Sequence, residues 1–447
     1  RKRLPEEPPA SPEPLEAILA DYLSLVEPNV THWQHPGFMA YFSSVASGPG
    51  ILGEWLAAGL NSNVMLWRVA PISTEMEQVV VGWLRRMLGL PASFDGMFTD
   101  TASASSLTPV RAARHVLPGL DARREGLAGR EGLGRLRLYC STEAHSSIER
   151  AAIVAGIGLS GVRRVATDGE YRMRPDALAD AIAEDRAAGR WPFCVVATLG
   201  TTSSTSVDPA DAIAEICERE KLWLHVDAAY GGAAALAEEF RPLFRGWERA
   251  DSIVVNPHKW MFTPFDASLL LFRRPEAYRD AFRLVPEYLK TPEGEVARNF
   301  NEYGIPLGRR FRALKMWMMI RWFGAEGMAA RVREHCRQAR EFASWIDGDP
   351  DWERLAPVPF ATVCFRSRPS GLRGREGEPD VAAELDRANE TILDRVNRTG
   401  EVFLSHTKLA GRYTLRVALG NPRTTGSHVR RCWEILREAA GPDGGAS

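Results

Sequence analysis

The sequence lacks several features that would assign it to a special class of protein. No apolar run approaches the roughly 20 residues that a helix needs to cross a bilayer, and the first residues lack the apolar core of a secretory signal. The six cysteines form no CxxC pair and sit mostly in apolar segments. Lys plus Arg (56) and Asp plus Glu (57) nearly cancel, which leaves no basic excess for nucleic acid or anionic membrane. We therefore expect a cytoplasmic protein with buried free thiols, no metal, nucleic-acid or membrane partner, and a small-molecule ligand.

The length of the chain predicts more than one structural unit. A single hydrophobic core stops growing near ~250–300 residues, and the chain has 447 residues, of which 45% are hydrophobic. We predict an N-terminal arm with helices over residues 1–90, a large domain over 91–315 and a small C-terminal domain over 316–447.

Two amphipathic helices are predicted in the N-terminal part. From Leu15 to Val26 an apolar stripe at helical spacing needs another surface to lie on. From Glu75 to Leu88 a second stripe ends near Gly89, with Pro91 just beyond.

Short β-rich runs then alternate with helical segments, which predicts an α/β domain around a mostly parallel sheet. The predicted strands are Leu136 to Cys140, Cys194 to Leu199, Leu222 to Val226, Ser252 to Val255 and Ser268 to Phe272. The predicted helices between them are Ser147 to Gly156, Pro175 to Ala188 and Pro209 to Glu220.

The C-terminal part reads as a smaller α+β unit. A long helix is predicted from Arg310 to Ile346. Strands at Thr362 to Phe365, Val402 to Leu404 and Thr414 to Val417 and helices at Val381 to Asn397 and Ser427 to Ala439 are predicted after it. The polar segment Glu287 to Tyr303 has no steady period and is a candidate mobile loop over an active site.

The strongest chemical signal is Asn256-Pro257-His258-Lys259-Trp260, at the carboxyl end of a predicted strand. Ligand-binding groups gather at this edge of α/β sheets. A surface lysine with an extended stem is the common alternative. Here, however, Asn256 adds a donor suited to a phosphate oxygen. A lysine amine in a desolvated pocket can lose its proton and bond to an aldehyde.

A carboxylate, Asp227, follows the apolar strand Leu222 to Val226. A buried carboxylate needs a cationic partner, and its alternatives are a helix cap or a structural salt bridge. An Asp that keeps a pyridine nitrogen protonated is a recurring arrangement in enzymes that use pyridoxal phosphate (PLP). The small Ala228 and Ala229 leave room for a flat ring.

Three further loops carry candidate groups, and the two that contain His145 and Thr201-Thr202 are predicted at the same edge of the sheet. The run Asp100 to Ser106 has hydroxyl and small side chains before a helix, which suits an anion site as well as an ordinary helix cap. His145 follows another strand, although a lone histidine is more often structural. Thr201 and Thr202 follow Leu199-Gly200.

Together these motifs resemble the group II PLP-dependent decarboxylases, and aromatic-L-amino-acid decarboxylases most of all. The resemblance covers nearly the whole chain, and its ordered motifs are Thr31-His32-Trp33, Ala40-Tyr41-Phe42, Ala144 to Ser147, Thr198 to Thr202, His225 to Tyr230, Asn256 to Trp260 and Ile305 to Arg312. It implies a fold-type I, aspartate-aminotransferase-like architecture, with a mostly parallel seven-stranded sheet in the large domain. It also implies a homodimer with shared active sites.

The resemblance implies a role for each matching residue. Lys259 would be the Schiff-base lysine, Asp227 the partner of the ring nitrogen and His145 the residue stacked on the ring. Further cofactor contacts would come from Thr101, Ala102, Ser103, Thr202, Ala229, Asn256 and His258. The substrate pocket would be lined by Trp33, Tyr41, Phe42, Ser44, Asn63, Met65 and His145.

The expected reaction is decarboxylation of an aromatic L-amino acid to the amine and CO₂. Tyr288 matches the loop tyrosine that protonates the substrate carbon in the family, whereas relatives with Phe there tend to release an aldehyde. An aldehyde synthase on the same fold is therefore one alternative. A non-catalytic dimeric homologue is another, but it would not need to keep these groups together.

The substrate stays open at the sequence level. This chain has Tyr41-Phe42-Ser43-Ser44 where aromatic decarboxylases commonly have Tyr-Phe-Pro-Thr, and it has Asn63 and Met65 at positions that are usually apolar or aromatic. Arg68 is expected to be a structural ion-pair member. If it reached the pocket, a more polar or acidic substrate would fit.

Overall fold

The computed structural model describes residues 4–127, 129, 135–284, 286–287, 293 and 297–441. The helices before the small domain are α1 (Leu15–Asp21), α2 (Gly48–Leu60), α3 (Pro71–Met87), α4 (Ala102–His115), α5 (Ala122–Glu125), α6 (Ser147–Val154), α7 (Pro175–Ala187), α8 (Ala210–Glu220), α9 (Pro257–Trp260) and α10 (Pro275–Phe282). The remaining helices are α11 (Arg312–Gly348), α12 (Pro379–Arg398) and α13 (Gly426–Ala439).

The large domain is built on a seven-stranded sheet. Its strands are β1 (Asp95–Thr99), β2 (Leu136–Ser141), β3 (Val162–Val165), β4 (Trp191–Thr198), β5 (Trp223–Asp227), β6 (Ser252–Val255) and β7 (Ser268–Phe272). Their order is β1-β7-β6-β5-β4-β2-β3. Only β7 runs antiparallel to its neighbours, β1 and β6. The predicted mostly parallel seven-stranded sheet is confirmed.

The strands are buried because helices cover both faces of the sheet. β2, β5, β6 and β7 are buried along their whole length, which explains their continuous apolar runs. Gly96 in β1 is required by close packing, since a Cβ there would lie 2.6 Å from the carbonyl oxygen of Leu270 in β7.

The small domain contains a four-stranded antiparallel sheet in the order β10-β11-β9-β8. These strands are β8 (Trp352–Arg354), β9 (Thr362–Ser367), β10 (Ser405–Leu409) and β11 (Arg412–Ala418). The predicted strand Val402 to Leu404 is wrong, because the strand begins at Ser405. Phe403 instead pairs with the N-terminal segment, where its N–H donates to Gly37 O and its carbonyl accepts from Met39 N, both at 2.9 Å.

The predicted helices are present with small changes at their ends. The segment from Leu15 is α-helical only to Asp21 and continues as a π-helical turn, Tyr22–Val26. Its apolar stripe remains exposed in the single chain. The long helix α11 is interrupted at Gly324, whose φ of 66° and ψ of 166° are not helical.

Two expectations about the chain's chemistry can be compared with the fold. All six cysteines lie in the described part of the chain, and each is buried and free, as predicted. Within the described ranges, every helix is too short or too polar to span a bilayer.

Candidate active site

The sheet brings five loops to one edge. Strands β1, β2, β4, β5 and β6 run in the same direction, so the residues after their carboxyl ends meet there. These residues include Thr101, His145, Thr202 and the motif that contains Lys259, and Asp227 ends β5 itself. Because β7 runs the other way, it begins at this edge with Ser268.

Lys259 lies in the single turn α9, between the buried residues His258 and Trp260. Its Nζ is 5.4 Å from the ring centroid of Phe42. Burial lowers the pKa of Lys259, while the Asp227 carboxylate acts in the opposite direction and raises it. A lysine whose pKa is lowered by burial is a better nucleophile near neutral pH.

Asp227 is buried, with 5% of its surface exposed. Its Oδ1 accepts a hydrogen bond from the N–H of Ala229 at 3.1 Å. Its Oδ2 accepts none from the part of the chain that the structure describes. This oxygen is therefore available to a donor on a bound molecule.

His145 lies at the mouth of the same cleft. Its Nδ1 accepts the N–H of Ser147 at 3.1 Å, so the neutral ring carries its proton on Nε2. Desolvation lowers the pKa of His145, Lys259 lowers it further, and Asp227 opposes the change. The three titratable groups therefore lie within electrostatic range of one another.

A chain of hydroxyl groups connects the start of α4 with Asn256. Thr99 Oγ1 lies 2.7 Å from Ser105 Oγ, and Ser105 Oγ lies 2.9 Å from Ser268 Oγ. Ser268 Oγ donates to Asn256 Oδ1 at 2.7 Å. The side-chain oxygen of Asn256 already accepts this hydrogen bond. The amide hydrogens of Asn256 are donated to no described residue and are therefore available to another acceptor.

Two further groups at this end of the cleft are suited to binding an anion. Thr101 is the N-cap of α4, and Ala102 and Ser103 begin the first turn, where backbone N–H groups are free to bind an oxyanion. His258 accepts the N–H of Ala267 on Nδ1 at 2.9 Å. Burial and the nearby Lys259 charge lower the pKa of His258 to about 3, which keeps its ring neutral.

Two groups of stacked aromatic rings include residues of the N-terminal segment, and the group that contains Phe42 lies next to Lys259. Phe42 stacks on Tyr230 with ring centroids 3.9 Å apart. Trp33 stacks on Phe38 at 4.5 Å and on Tyr41 at 5.7 Å. Tyr41 has a left-handed φ of 54°, and its N–H donates to Ser405 Oγ at 3.1 Å. Of the three aromatic residues predicted for the substrate pocket, Phe42 lies next to Lys259, whereas Trp33 and Tyr41 belong to the stack with Phe38.

Arg416 of β11 is a site residue that the sequence reasoning missed. It is buried, and its Cζ is 5.1 Å from the centroid of the same Phe42 ring. Its Nε donates to Ser203 O at 2.9 Å, whereas its Nη2 is buried without a hydrogen bond among the described residues. An arginine within the otherwise β-rich run Tyr413 to Val417 was the signal in the sequence.

Several predicted site residues have no recorded contact with the Lys259 group. Thr202 is exposed after β4, and Ser44 is only partly buried near Phe42. Asn63 Oδ1 accepts the N–H of Arg309 at 2.9 Å, and Met65 O accepts that of Asn301 at 3.2 Å. Tyr288 lies outside the described residues.

The cleft has the composition that PLP requires, namely a lysine amine, a buried carboxylate with a free oxygen and an anion-binding end. Comparisons with known proteins agree. The pyridoxal-dependent decarboxylase conserved domain matches residues 1–368. Phenylacetaldehyde synthase from Arabidopsis thaliana is 38% identical over 98% of this chain and 89% of its own.

Two more comparisons agree with this match over the whole chain. Aromatic-L-amino-acid decarboxylase from Sus scrofa is also 38% identical, over 98% of this chain and 89% of its own. The crystal structure of Oryza sativa TDC with PLP and tryptamine has a TM-score of 0.92 at 34% identity and covers 98% of this chain and 90% of that one. The chain therefore belongs to the pyridoxal-dependent decarboxylase family and is a fold-type I, PLP-dependent amino-acid decarboxylase.

Proposed function

We propose that the enzyme decarboxylates an aromatic L-amino acid, such as tryptophan, tyrosine, phenylalanine or dihydroxyphenylalanine. The observation that carries this proposal is the aromatic wall beside the lysine, in which the Phe42 ring lies 5.4 Å from Lys259 Nζ. Trp33 and Tyr41 stack on each other in the segment that leads to Phe42, and we propose that they extend this wall. Stacked rings favour a planar aromatic side chain over a short acidic one. Relatives named for aromatic substrates support the same choice.

We propose that the cofactor lies between Lys259, Asp227 and the start of α4. When bound, PLP supplies a ring that accepts the electron pair left behind as CO₂ departs. Lys259 would hold it covalently, and Thr101, Ala102, Ser103, Asn256 and His258 would hold its phosphate. His145 and Ala229 would pack on the two faces of the ring, with Thr202 near the ring substituents.

Asp227 has the properties of a group that keeps a proton on a ring nitrogen. It is buried, and the Ala229 N–H orients its Oδ1 while its Oδ2 stays free. A fixed carboxylate in a low-dielectric site stabilises a positive partner without reorganising. We propose that the free Oδ2 faces the ring nitrogen of the cofactor.

Arg416 is the proposed binding partner of the substrate carboxylate. Its guanidinium is fixed by Ser203 O and approaches Phe42, the ring that Lys259 also approaches. A buried guanidinium nitrogen without a partner is costly, so an anion that pairs with it binds favourably. This arrangement would bring the amino-acid carboxylate and the Lys259 amine to the same wall.

We propose the amine as the product, because Tyr288 matches the loop residue that protonates the substrate carbon. An aldehyde synthase remains the alternative, and phenylacetaldehyde synthase is among the relatives at 38% identity.

A more acidic substrate is less favoured. Arg68 pairs with Glu293 at 3.5 Å, as expected for a surface ion pair, so its charge is partly balanced.

A panel of amino acids tests the substrate class. Release of CO₂ and formation of amine, aldehyde and peroxide would be measured for the four aromatic amino acids and for glutamate and aspartate. We expect kcat/KM to be at least about 100-fold higher for the best aromatic substrate, since an unpaired carboxylate is costly to bury in an aromatic site. A higher kcat/KM for either acidic substrate would overturn the proposal.

We also propose that the enzyme is a homodimer whose copies share the active sites, with Asn63 and Met65 acting on the partner's site. Exposed apolar side chains support this proposal, because Trp55 is 73% exposed and the apolar stripe of α1 is left uncovered by the part of the chain that the structure describes. Trp55→Glu should shift the sedimentation of the protein to that of the single chain. If the variant is still a dimer, Trp55 does not lie in the interface. If the wild type itself sediments as a single chain, the homodimer proposal is wrong.

The division into residues 1–90, 91–315 and 316–447 also remains a proposal. It is supported by the sheets, since the seven-stranded sheet lies between Asp95 and Phe272 and the four-stranded sheet between Trp352 and Ala418. Helix α11 connects the two. A cytoplasmic location likewise remains a prediction.

A further inference from the structure

A buried histidine, His335 of α11, lies behind the candidate active site. It is 2% exposed, and both ring nitrogens are hydrogen-bonded. Its Nδ1 accepts the indole N–H of Trp260 at 3.0 Å, and its Nε2 lies 3.1 Å from Asn421 O. Because a carbonyl oxygen only accepts, Nε2 must carry the proton.

On one side, His335 reaches the turn that carries the lysine. Trp260 follows Lys259 directly in the chain, and its ring stacks on Tyr230 with centroids 4.8 Å apart and planes within 6°. Tyr230 stacks in turn on Phe42, the ring beside Lys259 Nζ. The orientation of the Trp260 ring therefore helps to fix the rings next to the amine.

On the other side, His335 reaches the N-terminal segment that contains Trp33. Asn421 is 1% exposed, and its Nδ2 donates to Gln34 O at 3.2 Å and to His35 O at 3.0 Å. These two residues follow Trp33 in the chain. The hydrogen bonds Trp260–His335–Asn421, which we term the relay, thus connect the lysine turn with the Trp33 segment through the small domain.

The relay requires a neutral imidazole. Burial lowers the pKa of His335 to about 4, with Glu334 favouring the charged ring and Arg331 opposing it. A protonated ring could not accept the indole N–H of Trp260. The ordinary alternative is a histidine that only stabilises the core, and the two roles make different predictions.

We propose that His335 is a positioning residue, which sets Trp260 beside the lysine turn and holds the Trp33 segment in place through Asn421. The effect on catalysis rests on the proposed function, because it assumes that Lys259 and Trp33 contact the cofactor and substrate.

The indole N–H of Trp260 tests the relay without substrate turnover. In protein labelled with ¹⁵N-tryptophan, this signal is assigned by its loss in Trp260→Phe. In His335→Phe, we expect hydrogen exchange of this N–H to be at least about tenfold faster than in the wild type, because its acceptor is gone. In His335→Gln, whose side-chain oxygen can accept the bond, we expect it to stay within about threefold. Unchanged exchange in His335→Phe would overturn the relay.

Kinetics test the positioning role. We expect kcat/KM to fall about tenfold in His335→Phe, mostly through KM, and to recover to within about threefold of the wild type in His335→Gln. Trp260→Phe should show a similar loss of kcat/KM. The double variant Trp260→Phe/His335→Phe should be no worse than either single variant, because each substitution removes the same hydrogen bond between residues 260 and 335. Losses that multiply, or a Gln variant as impaired as the Phe variant, would overturn the proposal.

Trp433→Phe is the matched control. Trp433 packs against Trp352 and Phe342 in the small domain and takes no part in the relay, so kcat/KM should stay within about twofold of the wild type. A loss equal to that of Trp260→Phe would mean that any core change in the small domain has this effect. If Lys259 does not carry the cofactor, the proposed function is wrong. The hydrogen-exchange measurement on the Trp260 indole N–H would still test the relay on its own.

Discussion

At the scale of single residues, the Asp227 carboxylate acts on the ionisation of Lys259. Burial lowers the pKa of the lysine, and the Asp227 carboxylate limits that change. The same carboxylate has one oxygen without a hydrogen bond from the described residues. Asp227 therefore serves both the amine and, in the proposed function, the ring of the cofactor.

Replacing Asp227 by Asn should separate cofactor binding from catalysis. We expect Asp227→Asn to retain PLP on Lys259 but to lower kcat by at least about 100-fold, the loss typical of removing one fixed charge-stabilising group. The pKa of Lys259 should also fall further, because the carboxylate that raises it is gone. Single-turnover rates measure the loss of catalysis, and the pH dependence of the rate at which PLP attaches to the cofactor-free protein, followed by absorbance, measures the pKa of the Lys259 amine. A kcat within threefold of the wild type would contradict the role of Asp227.

Tyr288→Phe should change the product. Without the phenol, the substrate carbon is protonated slowly, and O₂ can oxidise it. The amino acid, O₂ and water would then give the aldehyde, CO₂, ammonia and hydrogen peroxide. We expect peroxide to rise to a major share of turnover, measured together with amine and aldehyde in one reaction. An unchanged amine yield would defeat the assignment of Tyr288.

Some of these residues could be found in the sequence, and others could not. Lys259 and Asp227 follow apolar strands, so the position of each at the edge of the sheet could be inferred. Arg416 and His335 come from the small domain, more than 75 residues further along the chain, and act through packing between distant segments. No local pattern marks such contacts.

At the scale of elements, the site depends on how α4, β6 and β7 meet. The Ser268 hydroxyl connects Asn256 at the end of β6 with Ser105 in α4. Since β7 is antiparallel to β6, its first residue lies beside the residue that follows β6. This junction fixes the side-chain oxygen of Asn256, so that in the proposed function its amide hydrogens are left for the phosphate of the cofactor.

Ser268→Ala should weaken cofactor binding selectively. The variant loses two buried hydrogen bonds, to Asn256 and to Ser105. We expect the loss of the one that fixes the Asn256 amide, worth about 1 kcal/mol, to raise the Kd for PLP about fivefold and to leave kcat at saturating PLP nearly unchanged. Ser367→Ala is the matched control, because Ser367 lies in β9 and its hydroxyl donates to Asp351 O. Fluorescence titration of the cofactor-free protein measures Kd. Equal effects of the two variants would contradict the role of this junction.

The strands that sequence patterns predicted are those with continuous runs of apolar, β-favouring residues. Strands β2, β5, β6 and β7 were predicted to within one residue of their ends, whereas β4 begins at Trp191, three residues before the predicted Cys194. β1 and β3 were not predicted individually, because β1 begins with the turn-like Asp95-Gly96 and β3 contains Arg163-Arg164. Both segments form strands because they pair with neighbouring strands, and their own residue pattern does not indicate this. The wrong strand at Val402 to Leu404 has the same origin, since Phe403 pairs with the N-terminal segment.

At the scale of the whole molecule, several buried titratable groups make folding depend on pH. Burial lowers the pKa of His225 to about 4, of His258 to about 3 and of His335 to about 4, against 6.5 in an exposed histidine. Asp208 acts in the opposite direction, because burial raises its pKa from 3.8 to about 7. Between about pH 4 and 6.5 the unfolded chain thus binds three extra protons on histidines and the folded chain one on Asp208.

These four groups should therefore make the free energy of unfolding decrease as the pH falls from 6.5 toward 4, with a contribution of about 2.7 kcal/mol per pH unit for a net uptake of two protons. Urea unfolding of the cofactor-free protein at a series of pH values measures this slope. His335→Gln should reduce it, because one of the three histidines is gone. A flat profile in the wild type would show that these histidines are not buried in the neutral form.

The account as a whole depends on one covalent attachment, which chemical trapping tests most directly. Treating the PLP-loaded enzyme with borohydride fixes the cofactor on the amine that holds it, and digestion with mass spectrometry locates it. We predict one pyridoxyl group per chain, on the peptide that contains Lys259, and none in Lys259→Ala treated in the same way. A group on another lysine, or one retained in Lys259→Ala, would contradict the account.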